Sequence, residues 1–122
     1  MTNAIMTFSL REGADALWAK IKRTGGHDNM FLCLAATFQL SQDMSQEFER
    51  QSKRDDITLR TRTCFKLNVG DVRFCTISPP ERWIGLQVSA AWICPSGDYT
   101  NWPDRIRTRL AATGGILIVT EH

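Results

Sequence analysis

Residues 57 to 79 read ITLRTRTCFKLNVGDVRFCTISP, and this segment decides which fold the chain is expected to form. From Ile57 to Val69, apolar and threonine side chains occupy the odd positions, and three basic side chains stand at even positions. Successive side chains of a β-strand point to opposite faces, so the pattern predicts a strand with one buried and one basic face. The turn at residues 68–71 predicts a second, antiparallel strand. The segment therefore indicates a β-hairpin.

The simplest hairpin register places Leu67 opposite Val72. Lys66 then lies opposite Arg73, and Cys64 opposite Cys75. Like charges that face each other directly destabilise a strand pair. A sheet face that keeps such a pair either extends it into water or offers it to an anion, and we interpret the basic face as a binding surface. Its predicted cations are Arg60, Arg62, Lys66 and Arg73.

The segments before the hairpin predict a strand, a helix and a further strand. Residues 5–9 resemble a short strand, and Ser9 followed by Glu12 fits a capping box at the start of a helix. This helix is expected to end at residues 24–26, Thr-Gly-Gly. Residues 29–40 fit a strand or a helix, and we favour the strand because of their alternation after a glycine turn. Residues 41–56 are polar and fit an exposed helix or a loop.

After the hairpin, Pro79-Pro80 is expected to interrupt the sheet, because proline cannot donate to a strand ladder. Residues 83–94 predict a strand, Asn101 fits the cap of a last helix, and residues 116–121 predict a closing strand. The predicted fold class is α+β: a mostly antiparallel sheet of about five to six strands, with two or three helices packed on one face.

Composition indicates a single domain that spans residues 1–122 and has a hydrophobic core. The net charge of +2 is too small to argue for nucleic-acid binding without a local cluster of cations. The sequence contains no apolar run of membrane-spanning length, so we expect a cytoplasmic protein without membrane contact. Its four cysteines are widely spaced, and we expect reduced, largely buried thiols, with no metal and no cofactor.

Two of the four tryptophans are candidates for an interface. Trp18 and Trp92 lie on apolar faces and are expected in the core. Trp83 follows a proline-rich stretch and Trp102 precedes Pro103, so both are expected near loops. Tryptophan and arginine are enriched among the residues that dominate protein interfaces. We therefore add Trp83 and Trp102 to the predicted binding surface.

The His27-Asp28 loop is the only segment with a catalytic appearance. A histidine beside a carboxylate can act as a general base, although adjacent residues seldom point at each other. Glycines that follow a helix already have a structural role there. No nucleophile motif and no phosphate-binding lysine accompanies this loop, so we predict no catalytic residues.

The sequence thus favours a small binding protein over an enzyme. We expect an inhibitor or accessory subunit that docks on the acidic surface of a larger protein assembly through its basic sheet face and loop tryptophans. One alternative is a nucleic-acid-binding domain that uses the same face. A second alternative is a small hydrolase or nuclease that uses the His27-Asp28 loop. A homodimer is consistent with the same surface.

Overall fold

The first helix begins where its capping residues predict. In the computed structural model, which describes residues 3–53, 56–61, 63–77, 88–95 and 115–121, strand β1 spans Asn3–Thr7 and helix α1 spans Leu10–Arg23. The Ser9 side chain accepts a hydrogen bond of 3.1 Å from the backbone N–H of Glu12. The helix ends at Thr24, whose N–H donates to the Ile21 carbonyl. The predicted helix is confirmed with both of its ends.

The ambiguous segment that follows is divided between a strand and a helix. Strand β2 spans Asn29–Ala35 and helix α2 spans Phe38–Arg50. The Thr37 side chain accepts a hydrogen bond of 3.1 Å from the Leu40 N–H and caps this helix. Three apolar side chains four residues apart are buried on one side of α2: Leu40, Met44 and Phe48. As far as Arg50, the polar segment is therefore a helix packed against the core, rather than an exposed helix or a loop.

The remaining strands complete one sheet. They are β3 (Leu59–Arg60), β4 (Cys64–Leu67), β5 (Gly70–Thr76), β6 (Ala90–Cys94) and β7 (Ile116–Thr120). The seven strands lie in the order β1-β7-β6-β2-β5-β4-β3. All neighbours from β1 to β5 in this order are parallel, and only β3 and β4 run antiparallel to their neighbours. The prediction of a mostly antiparallel sheet of five to six strands is wrong, because the hairpin forms only one end of a mostly parallel sheet.

The sequence contains the signal of parallel pairing in its most apolar strands. β2, β6 and β7 read NMFLCLA, AAWIC and ILIVT, without an alternating polar face. Such continuous apolar runs are typical of strands in parallel sheets, because helices cover both faces of those sheets. The burial of these strands agrees with parallel pairing, since every residue of β6 is buried.

Core side chains lie on both faces of the sheet. One face, here called the helix face, carries Phe31, Cys33, Phe74 and Trp92, and it packs against the buried sides of α1 and α2. The opposite face carries a second buried cluster, formed by Leu32, Leu34, Ile77, Val88, Ala91, Ile93, Leu117 and Val119. The predicted last helix, the proline pair and the first part of the predicted 83–94 strand lie outside the described residues. The closing strand is confirmed as β7.

Phe48 joins the two helices to the hairpin. Its ring stacks on Trp18 of α1, with 4.3 Å between centroids, and lies 5.5 Å from Phe65 and 5.6 Å from Phe74. The Trp18 indole N–H donates a hydrogen bond of 2.8 Å to the Phe48 carbonyl. Aromatic pairs in such geometries contribute about 0.5–1.5 kcal/mol each beyond their burial. The cluster therefore fixes α2 relative to α1 and to strands β4 and β5.

A glycine lets α1 approach the sheet closely. A Cβ atom at Gly13 would lie 2.4 Å from both Thr120 Oγ1 and Trp92 Nε1. These two atoms are joined by a hydrogen bond of 2.8 Å from the indole N–H. Thr120 Oγ1 also lies 2.6 Å from the hydroxyl of Thr7, which donates to the Val119 carbonyl. The neighbours of Gly13 are thus held in place by their own hydrogen bonds.

The part of the chain that the structure describes contains two helices, α1 and α2. Neither is long and apolar enough to cross a membrane.

Replacement of Gly13 by alanine should destabilise the protein by about 1–3 kcal/mol, the usual cost of overpacking a core. In a helix without this contact, the same change would stabilise by about 1 kcal/mol, so the sign of the effect tests the packing. Gly25→Ala is the control, since a Cβ there meets no atom within 4 Å. Urea unfolding of the three proteins measures the effect. A more stable Gly13→Ala variant would contradict the close approach of α1.

Candidate functional site

The hairpin has a different register from the predicted one. Lys66 lies opposite Asp71, and Cys64 lies opposite Arg73. Gly70 explains the difference, because it is already a strand residue that pairs with Leu67, with Asn68 and Val69 forming the turn. Gly70 has a φ of +148°, and a Cβ there would lie 2.0 Å from the Asn29 carbonyl oxygen. The predicted pairing of Lys66 with Arg73 is therefore wrong, and the lysine faces a carboxylate instead.

A reversal of the chain separates Arg60 from the other cations. The Thr61 hydroxyl accepts a hydrogen bond of 3.1 Å from the Cys64 N–H, and the Thr61 N–H donates to the Cys64 carbonyl at 2.8 Å. This turn makes β3 antiparallel to β4, so the predicted single strand from 57 to 69 is two strands. Arg60 lies opposite Phe65 and shares the helix face with it, whereas Leu59 is 52% exposed.

The predicted basic face is consequently divided between two sides of the sheet. Arg60 extends towards α2, where its guanidinium forms an ion pair with Glu49. Lys66 and Arg73 belong to the opposite face, together with Cys64 and Asp71. Arg62, Trp83 and Trp102, the other three predicted binding residues, lie outside the described residues.

Two of the predicted cations nevertheless border one groove. It has a volume of about 730 Å³ and lies between α2 and the outer strands β3–β5. Its floor is apolar and contains the buried rings of Phe65 and Phe74. The strand side of the groove consists of Arg60, Thr61, Thr63, Arg73, Cys75 and Thr76. Arg60 and Arg73 both line the groove, although they belong to different faces of the sheet.

One side of α2 forms the other wall. Its residues follow a helical stripe next to the buried one: Phe38, Ser41, Gln42, Ser45, Gln46 and Glu49. The stripe is polar apart from Phe38, whose ring is 58% exposed. Three residues of this wall form no side-chain hydrogen bond with another described residue: Gln42, Ser45 and Gln46. Their polar groups can therefore bond to a molecule in the groove. The sequence does not reveal this wall, because a stripe of Ser and Gln resembles any solvated helix side.

The groove has an uncompensated positive charge. Glu49 neutralises Arg60 through their ion pair. Arg73 is half-buried and forms no ion pair with another residue that the structure describes. Arginines are almost never fully buried unless they are paired, since desolvation of an unpaired charge is costly. Arg73 is therefore the residue of this groove that is best placed to bind an anion.

None of the four cysteines, all of which lie in described segments, is in a disulfide bond. Cys33 and Cys94 are buried as expected, whereas Cys64 and Cys75 are only half-buried. Burial raises the pKa of Cys33 well above its ordinary value and that of Cys94 to about 11. At Cys64, burial and the charge of Asp71 raise the pKa, against the opposing effect of Arg73 and Lys66. Thiols with raised pKa values are poor nucleophiles at neutral pH.

The His27-Asp28 loop lies apart from the groove. Both side chains are exposed in the turn before β2, and neither lines the groove. The loop is held by Asn29, whose side-chain N–H₂ group donates to the carbonyls of Gly25 and Val69 at 2.8 Å and 2.9 Å. Within the described ranges, no three His, Cys, Asp or Glu side chains lie close enough to hold a metal ion.

Comparisons with known proteins identify a similar fold. No protein-family model matches the chain, and no curated protein matches it. A solved structure of a mutant large terminase ATPase domain from Thermus phage P74-26 superposes with a TM-score of 0.57 and 13% sequence identity. The match covers 98% of this chain and 58% of that one, so this chain spans little more than half of the neighbour's length. At this identity the likeness shows the fold alone.

The raised pKa of Cys94 predicts a loss of stability at alkaline pH. An unfolded thiol has a pKa near 8.5, against about 11 in the folded protein, so only the unfolded state ionises between these values. The contribution of Cys94 to stability is therefore complete below about pH 8.5 and is lost as the pH rises towards 11. Urea unfolding at pH 8 and pH 10.5 should show a smaller loss in Cys94→Ala than in the wild type. Equal losses would contradict the buried, protonated thiol.

Proposed function

We propose that this protein is a small cytoplasmic binding protein, an inhibitor or accessory subunit, that docks on an acidic surface of a larger protein. The observation that supports this proposal is Arg73, a half-buried cation without an ion-pair partner among the described residues, at the wall of a groove of about 730 Å³. A carboxylate of the partner would complete the charge pair that the protein itself leaves open. Charge complementarity of this kind gives specificity and speeds association.

The groove favours a protein partner over nucleic acid. Its described lining carries two arginines and one glutamate, so its net charge is only +1. Binding to a phosphate backbone usually relies on several cations that release counterions together. Single-strand binding also uses aromatic platforms, and Phe38 is the one exposed ring in the described lining.

Catalysis receives less support from the same site. The described lining of the groove contains no histidine, and its carboxylate, Glu49, is bound to Arg60. The structural neighbour is named as an ATPase domain, but this sequence contains no G-x-x-x-x-G-K-[ST] segment, the loop that holds nucleotide phosphates. We therefore do not extend ATP hydrolysis to this chain.

The test compares two variants, in each of which one basic residue of the hairpin is replaced by glutamine. Arg73→Gln should weaken binding to the partner captured from an extract of the source cell by tenfold or more, since a buried carboxylate would be left unpaired. Lys66→Gln is the matched control, because Lys66 lies outside the groove and opposite Asp71. The interaction of the wild type should also weaken as salt is added.

Affinity is measured by surface plasmon resonance on the purified partner, and thermal unfolding checks that both variants are folded. Unchanged affinity of a folded Arg73→Gln variant would contradict the proposal. Capture that disappears on nuclease treatment would point to nucleic acid instead.

A further inference from the structure

The groove has the dimensions of a short peptide site. Its helix wall extends from Phe38 to Glu49, and at a rise of 1.5 Å per residue this corresponds to about 16 Å. An extended chain advances about 3.3 Å per residue, so about five residues cover the same distance. Volumes of 300–1,000 Å³ are usual for sites that enclose a small ligand, and the 730 Å³ of this groove lies in that range.

The chemistry of the walls favours an extended occupant over a helix. A helix satisfies its own backbone groups and binds through an apolar side to a hydrophobic groove. Here the walls carry the hydroxyl and amide groups of Ser45, Gln42, Gln46 and Thr63, each of which both donates and accepts hydrogen bonds. An extended segment presents the free N–H and C=O groups that such walls are suited to bind.

The two ends of the groove differ in character. At the end of α2, Glu49 and Arg60 form an ion pair, and Arg73 lines the groove one register position further along the sheet. At the start of α2, the ring of Phe38 is 58% exposed at the groove. A carboxylate fits the first region and an apolar side chain the second.

We infer that the groove binds an extended segment of about five residues from a partner protein, with a carboxylate on Arg73 and an apolar side chain against Phe38. This inference rests on the proposed function, to which it adds the form and sequence character of the bound segment. Glu49 pairs with Arg60 and is the one acidic residue in the described lining of the groove, so its negative charge repels the ligand carboxylate. Removal of Glu49 should therefore strengthen binding, which a general loss of structure would not do.

The probe is a fluorescein-labelled pentapeptide with two glutamates at one end, two serines and a phenylalanine at the other end. It is used in both chain directions, and fluorescence anisotropy at low salt measures the affinity. We expect the wild type to bind one of the two directions, Arg73→Gln and Phe38→Ser to weaken that binding at least tenfold, and Glu49→Gln to tighten it several-fold. Lys66→Gln, the control outside the groove, should change it less than twofold. A peptide with glutamines in place of glutamates should not bind.

Three outcomes would overturn the inference. The first is no saturable binding of either peptide. The second is equal binding by the Phe38→Ser variant, and the third is weaker binding by Glu49→Gln. Thermal unfolding confirms that each variant is folded before its affinity is compared.

Competition separates this inference from the proposed function. If the partner protein binds in an Arg73-dependent manner but is not displaced by the peptide, the inference is wrong and the proposed function stands. If the partner is insensitive to Arg73→Gln, both are wrong. Displacement of the partner by the peptide supports both.

Discussion

The contact between Trp18 and Phe48 is the constraint on which the rest of the structure depends. The ring stack and the hydrogen bond from the indole N–H to the Phe48 carbonyl join α1 to the last turns of α2. Phe48 also contacts Phe65 and Phe74, so the same residue holds α2 on the outer strands. The groove exists because this cluster fills the space under one side of α2 and leaves the neighbouring polar stripe facing strands β3–β5.

Local signals in the sequence predicted local structure, but they did not predict which distant strands pair. The cap at Ser9 and the Thr-Gly-Gly segment at residues 24–26 are local signals for the two ends of α1, so its ends could be predicted. The parallel pairs of β2 with β5 and β6 join segments that are far apart in the chain. The apolar sequences of β2 and β6 are typical of burial on both faces, whereas the antiparallel prediction rests on the alternation of the hairpin.

The candidate site was predicted in part for a similar reason. Arg60 and Arg73 were predicted as binding residues and both line the groove, but a uniform alternation from 57 to 69 placed them on one face. The turn that begins at Thr61 breaks the alternation. It is held by a hydrogen bond from the Cys64 N–H to the Thr61 hydroxyl, which a period-two pattern does not reveal. The register also depends on the contact of Gly70 with Asn29, a residue of another strand. The helix wall carries no distinctive residue type, so only the fold assigns it to the groove.

The short turn after β3 makes the charge of the groove sensitive to chain length. Because side chains alternate along a strand, a shift of one residue in register exchanges the two faces. An insertion or deletion of one residue between Thr61 and Cys64 would turn Arg60 outward and bring Leu59 to the side of Glu49. Homologues that differ only in the length of this turn would then present a cation or a hydrophobic side chain to the same groove. The chemical character of the groove would then change without a substitution at the groove itself.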